Sequence, residues 1–471
     1  MAAFPTTASA GMSAADSKRV RLDYLDGLRG LAALYVLLFH ITQSGWHRVE
    51  HGVWNGAAAH VVRKLITVAF FCAFAYGHYA VDVFIVLSGY VLMIPVARSV
   101  NGRFPKGPLA YFRRRAWRIL PPYYAALAFS LALIAAVPAR VIAHDGFYDF
   151  GLPAFTPGVL WSHLLLLQNL RTDWEWRING PMWSTAAEWQ IYFLFPAVLL
   201  PLWRRRGIAE TVLIAFALSL LPHYLLGRFD FAFPWLFGLF ALGMFGAVVG
   251  FSPKPLESQW RDRIPWGRWS ALSGMCVVGI NILQRKSWAA APLLHWLRTE
   301  TWGTTWPMDA LVGMSAISLI IDYSRLVTSG ENRPRPLLLR LFTTRWAMAL
   351  GAFSYSLYLI HQPILWGLNL ICLCLHLGSL PASLFLLIVG LPLALLCAYL
   401  FHCAFERPFI AGKPEVRRRR SPLNGDIQAV PFVNGGGMSA IVAGRVSVII
   451  PCYNVAHLVN RAIEGALCQT Y

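Results

Sequence analysis

A chain of 471 residues, 57% hydrophobic and 13% charged, with a mean hydropathy of +0.52, carries more apolar surface than one water-soluble core can bury. The bilayer must be its solvent, which excludes an ordinary soluble domain. The formal charge of +19 would suit a nucleic-acid binder only if the basic residues formed one continuous patch, and they are instead spread over alternate loops.

The first 20 residues are polar and rich in small side chains, without a short apolar core and cleavage site, so they read as a cytosolic tail and not as a signal peptide. Ten apolar stretches follow, at 29–46, 76–97, 119–137, 183–203, 208–226, 231–250, 268–283, 307–322, 346–371 and 382–405. As helices rising about 1.5 Å per residue, such stretches cross roughly 30 Å of hydrocarbon. The seventh and eighth are short and flanked by Gly, Trp and Pro. The expected fold is an all-α polytopic integral membrane protein with about ten transmembrane helices, covering residues 21–410. With the N-terminus inside, the cytosolic segments hold 29 Lys and Arg and the opposite face ten. Shifting the topology by one span inverts that bias, so the charge is topological and no nucleic-acid partner is expected.

The longest outer loop, 138–182, carries Asp145, Asp149, Asp173 and Glu175. Within it, residues 158–170 are apolar but too short to cross, which predicts a re-entrant or interfacial helix roofing the outer face. The eight cysteines are scattered, with no CxxC pair and no His spacing that suits zinc, so no metal is expected. After the tenth span, residues 411–444 read as a basic juxtamembrane segment and linker. RVSVIIPCYN (445–454) then predicts a strand and the residues to 471 a helix, the opening of an α/β domain that is only begun.

The candidate chemistry starts in YLDGLRGLAALYVLLFH, where Arg29 and His40 are eleven residues apart. Eleven steps of about 100° end roughly 20° past three full turns, so both lie on one helix face, about 16 Å apart along the axis. An ionisable side chain inside a span is expensive and is usually kept for function; the plain alternative is a neutral His hydrogen-bonded inside the bundle. Arg115 and Arg118, spaced i, i+3 at the entry of the third span, can grip a phosphate together, or can serve as membrane anchors, as Arg113 and Arg114 are expected to. Counting along each helix sets Glu188, Asp82 and His361 at about the depth of His40, in the outer half of the bilayer, which suggests pairing around a polar cavity. A His oriented by a carboxylate is a general base for a hydroxyl. Arginines at the inner mouth suit the phosphates of a carrier such as coenzyme A.

Five segments in this order, LDGLRGLAALYVLLFH, VDVFIVLSGYVL, FRRRAWRILPPYY, PMWSTAAEWQIYFLFP and FSYSLYLIHQPI with the later FERPF, resemble the acyltransferase family 3 membrane proteins over residues 21–410. The resemblance implies acyl-CoA (acetyl-CoA above all) as a donor that is not permanently bound, and a carbohydrate or glycolipid acceptor at a bacterial inner membrane. It carries His40 over as catalytic, Glu188 as an active-site acid and Arg29, Arg115 and Arg118 as donor-binding, with Asp82 and His361 as candidate support. One departure is Trp189, where many members have a second Glu. Residues 445–471 look like the first strand and helix of a family 2 glycosyltransferase; the acidic motif such enzymes need lies further along, so that activity is not assigned, and a truncated fusion or misjoined reading frame accounts for the fragment. The rival readings are a glycan flippase, in which buried charges line a translocation path, a membrane-tethered glycosyltransferase, and a structural scaffold.

Overall fold

The computed structural model describes residues 22–51, 73–99, 101–136, 156–226, 229–285, 305–329 and 334–410, and among these every regular element is helical. The glycosyltransferase-like segment 445–471 and the linker before it lie outside the described residues, as does the tail 1–20.

The helices run in order as α1 (Asp23–His51), α2 (Gly77–Ala97), α3 (Gly107–Ala136), α4 (Pro157–Leu164), α5 (Met182–Leu194), α6 (Ile208–Leu221), α7 (Leu236–Phe251), α8 (Pro255–Arg263), α9 (Trp266–Arg285), α10 (Trp306–Thr328), α11 (Leu337–Phe342), α12 (Arg345–Ala352), α13 (Ser354–Cys374), α14 (Ser379–Phe385) and α15 (Leu391–Phe401). A helix stands at each of the ten expected positions. Eight are long and apolar enough to cross a membrane by themselves. The sixth, α7, reaches span length only together with α8, from which it is bent by 94°. The seventh, α9, has 20 residues but is not among the eight.

Two boundaries differ from expectation for local reasons. The third helix begins at Gly107, so Arg113 to Arg118 ride on the helix and not on a preceding loop. The stretch 346–371 is broken: α12 ends at Ala352, and α13 starts afresh at Ser354, whose hydroxyl donates to the carbonyl of Gly351 at 3.0 Å. The end of α12 is pinned there because Gly351 meets the backbone of Asp26 so closely that a Cβ would fall 2.0 Å from its carbonyl oxygen.

In a bilayer, lipid tails solvate apolar side chains as well as a neighbouring helix does, so helices associate where small residues let backbones approach. That is how α2 and α7 meet. A Cβ on Gly89 would fall 2.1 Å from the carbonyl oxygen of Phe240, and one on Gly243 2.1 Å from that of Val86. The core built around this contact takes side chains from α1, α2, α5, α7 and α10; a second cluster joins α1, α3, α13 and α15. Both clusters bury faces of α1, which therefore runs between the two halves of the bundle.

The apolar loop segment is the short helix α4, capped by Thr156, whose hydroxyl oxygen accepts from the Val159 N–H, with Pro157 in the first turn where no N–H is needed. Buried bonds tie this segment to the spans: Tyr123 Oη donates to the His163 carbonyl (2.9 Å), Gln168 to the Met182 carbonyl (3.1 Å) and Asn179 to the Leu359 carbonyl (2.8 Å). At eight residues α4 is too short to span.

Several helices contain a π-helical turn, at Phe195–Leu199, Pro222–Leu226, Leu386–Gly390 and His402–Glu406. In the first, Pro196 supplies no N–H, and the wider turn absorbs the break in the ladder.

Candidate active site

Arg29, Arg115, Arg118 and Glu188 come together. They line one cavity of about 140 Å³ with Ser88, Ser184, Thr185, Tyr192, Tyr355, Tyr358 and Glu406. Arg29 reaches it from α1, where Gly27 and Gly30 on either side press α1 onto α11 and α12: Cβ atoms there would fall 1.8 Å from the Phe342 carbonyl oxygen and 2.5 Å from that of Ala347. Arg113 and Arg114 are exposed, while Arg115 and Arg118, further round the helix, turn into the cavity.

The three guanidiniums share the cavity with two carboxyls, Glu188 and Glu406, but make few close ion pairs. Arg29 has a long contact to Asp26 (3.8 Å), itself largely exposed. Neither Arg115 nor Arg118 forms an ion pair among the described residues, and the buried Nε of Arg115 has no hydrogen-bond partner there. Such an orphaned donor in a cavity is a place for an anion, because leaving it unmet costs its full desolvation.

Glu188 is fixed from two sides. Its Oε1 accepts from Tyr192 Oη at 2.6 Å, one helical turn along α5, and from Ser88 Oγ on α2. Trp189, in place of the second Glu, packs edge-on against Phe193, and Gln190 bonds Asn169 and the Leu166 carbonyl. No second carboxylate stands beside Glu188 on this helix.

His40 is not a wall of this cavity. Its ring centroid lies 5.0 Å from that of His361 on α13. His361 is buried, and its Nδ1 meets the Leu357 carbonyl at 3.0 Å, a contact in which the nitrogen must donate. Its Nε2 then carries the lone pair, and it has no hydrogen-bond partner among the described residues. Tyr358 connects the two places: it lines the cavity, bonds Ser184 Oγ at 2.6 Å, and sets its ring 6.0 Å from that of His361.

Equal depth therefore did not mean one cluster. His361 joins His40, Glu188 joins the arginines, and Asp82 goes elsewhere. Asp82 is buried against α10, within hydrogen-bonding reach of the Asp309 carboxyl. Asp309 accepts from Trp235 Nε1 (2.7 Å) and Thr305 Oγ (3.0 Å), and His78 Nε2 lies 3.5 Å from its other oxygen.

Sequence reasoning missed Ser88, Tyr192, Tyr358 and Glu406 as site residues. Tyr192 was accessible, since i, i+4 spacing puts it over Glu188. Ser88 and Glu406 lie inside the motifs VLSGY and FERPF, but their facing partners are on other helices.

These features define a class. The chain belongs to the acyltransferase domain family, which matches residues 22–403, and with its several membrane-crossing helices it is a multi-pass membrane acyltransferase. It is 25% identical over 350 residues, 72% of each chain, to a protein of Komagataeibacter xylinus named "Putative membrane-bound transacylase BcsY". No solved structure matches it.

Proposed function

We propose that this acyltransferase moves an acyl group, acetyl above all, from acyl-CoA to a hydroxyl of a surface polysaccharide, lipid-linked glycan or glycolipid. The single observation that carries this reading is the cavity in which Arg115 and Arg118 stand without ion-pair partners beside Arg29. Three guanidiniums against two carboxyls, with an unmet Arg115 N–H, suit the phosphates of a coenzyme A donor. The thioester end would then extend past Tyr358 toward the histidines.

There His40 takes the proton of the acceptor hydroxyl, the oxygen attacks the thioester carbonyl, and the coenzyme A thiolate leaves and is reprotonated. On this reading the Nε2 lone pair of His361 accepts a hydrogen bond from the acceptor beside His40. Glu188, held by Ser88 and Tyr192, is the acid of the donor end. On this reading the N-terminus and the arginine end face the cytosol, which the basic-loop bias supports, in a bacterial inner membrane crossed ten times, with the chemistry nearer the opposite face.

The test uses the purified full chain in nanodiscs with acetyl-CoA, reading thiol release, together with mass spectrometry of surface glycans from cells carrying wild type or His40→Ala. The reading expects acyl-modified glycan in wild type, its loss in His40→Ala, and weakened coenzyme A binding in Arg115→Ala and Arg118→Ala. Unchanged glycan acylation in His40→Ala would overturn the catalytic assignment.

A further inference from the structure

Proline has no N–H, so Pro363 inside α13 leaves the carbonyl four residues earlier, that of Leu359, without its helical donor. Inside a membrane bundle such a carbonyl has to be met from elsewhere. Asn179, in the segment between α4 and α5, meets it. Its side chain is fully buried, and its Nδ2 donates to the Leu359 carbonyl at 2.8 Å and to Ser130 Oγ on α3 at 3.1 Å. A carbonyl can only accept, so the nitrogen of the amide must face it. The amide oxygen has no partner among the described residues, which leaves Nδ2 to hold the side chain.

The chain is bent sharply to bring this amide into place. The Asn179 backbone N–H donates to the Arg177 carbonyl at 2.7 Å, closing a three-residue γ-turn around Ile178. Ile178 stands at φ +64°, the rare and strained hand of that turn and an outlier for a β-branched side chain. Bonds on either side keep it there: His163 Nε2 lies 2.8 Å from the same Arg177 carbonyl, and the Asn179 carbonyl accepts from the Met182 N–H at 3.1 Å, where α5 begins. Strain retained in a buried turn is a pointer to function when what the turn delivers has a use. This one delivers a single amide to α13 two residues before His361. In the same stretch of helix His361 Nδ1 donates to the Leu357 carbonyl, and the His361 ring sits 5.0 Å from that of His40.

We infer that Asn179 is a positioning residue for His361: its amide meets the carbonyl that Pro363 leaves without a helical donor, and so fixes the turn of α13 that sets the His361 ring against His40. This inference rests on the proposed transfer chemistry at the histidine pair. Without the amide, the Leu359 carbonyl tilts toward another donor and the helix bends further at its proline, which turns His361 relative to His40. Arg29, Arg115 and Arg118, on α1 and α3, keep their places. A purely structural tie would lower the melting temperature and leave the turnover of the folded protein unchanged.

The test is steady-state acetyl-CoA turnover by the full chain in nanodiscs, with kcat and KM read separately and thermal melting alongside. Asn179→Ala should lower kcat about tenfold or more with the acetyl-CoA KM within twofold. Asn179→Ser, whose hydroxyl stops short of the carbonyl, serves where Asn179→Ala does not fold. Ser130→Ala leaves the bond to Leu359 in place and should keep kcat within threefold of wild type. Pro363→Ala returns a helical N–H to the Leu359 carbonyl, so on that active background Asn179→Ala should lower kcat by less than threefold. A folded Asn179 variant with kcat within threefold of wild type overturns the inference, as does Ser130→Ala costing as much as Asn179→Ala. The full loss persisting on the Pro363→Ala background overturns it too, and so does an inactive Pro363→Ala protein with wild-type melting, since the helix break itself would then set His361. All of these leave the proposed function standing. No turnover by wild type overturns that function and this inference together.

Discussion

Replacing Tyr192 by Phe removes one oxygen and little else. The ring is buried and packs edge-on against Phe240 at 6.4 Å, a contact that phenylalanine keeps. What is lost is the 2.6 Å hydrogen bond to Glu188 Oε1, leaving that oxygen with Ser88. A hydrogen bond to a charged group contributes about 1.5–3 kcal/mol. If Glu188 works in the orientation this bond enforces, kcat/KM falls about ten- to hundredfold. The assay is acetyl-CoA turnover in nanodiscs, with thermal melting as the control for folding. Ser88→Ala should cost a similar factor, and the double variant less than the product of the two, because both act on one carboxylate. A Tyr192→Phe protein with wild-type melting and kcat/KM within threefold of wild type would refute the claim that the Tyr192 bond positions Glu188.

Three further outcomes follow from buried groups and close contacts. In the loop between α4 and α5, burial pushes the Glu175 carboxyl from its ordinary 4.5 up to about 8, and its Oε1 has no partner among the described residues. The folded chain then keeps a proton that the unfolded chain releases above its lower pKa. Stability is therefore full below about pH 4.5 and lost as pH rises toward 8, by at most about 4–5 kcal/mol; Tm should drop between about pH 5 and 8 in wild type and stay nearly flat in Glu175→Gln. Gly243→Ala places a Cβ against the backbone of Val86, which cannot rotate aside, so it should cost about 3 kcal/mol and lower Tm by several degrees, whereas Gly279→Ala, with open space around it, should not. Asp82→Asn removes the conflict between two carboxyls and should change stability by less than about 1 kcal/mol, while Asp309→Leu strands the Trp235 and Thr305 donors and should cost about 3 kcal/mol or more, both read as melting shifts.

Periodicity and hydropathy made much of this molecule legible. The eleven-residue spacing of Arg29 and His40 falls on one continuous helix, and Arg115 and Arg118 separate from Arg113 and Arg114 as their spacing implies. Depth counting did less well because it gives one coordinate only. It placed Glu188, Asp82 and His361 at one level, but which neighbour each one meets depends on the direction in which it faces. That direction is set by backbone contacts such as Gly89 on Phe240 and Gly243 on Val86. Asp82 faces α10 for this reason, and its partner Asp309 lies in a stretch, TWPMDAL, whose carboxylate has no local sign of a role. Glu406 escaped for a different reason. Its partners Ser356 and His402 come from the first turn of α13 and from a π-helical turn, and neither the capping role nor the widened turn leaves a periodic signature.

Tyr358 belongs at once to the arginine cavity and to the surroundings of the two histidines. The side chain stands between that cavity and the histidine pair. Its hydroxyl is tethered to Ser184 and its ring rests edge-on against Phe84 at 6.0 Å, so swinging it aside means breaking both contacts together. An acyltransferase embedded in a membrane faces an insulation problem that soluble enzymes do not, since a passage left open for its reactant would also conduct water and protons. On the proposed reading, any route from the donor cavity to the histidine pair runs past this one tethered ring.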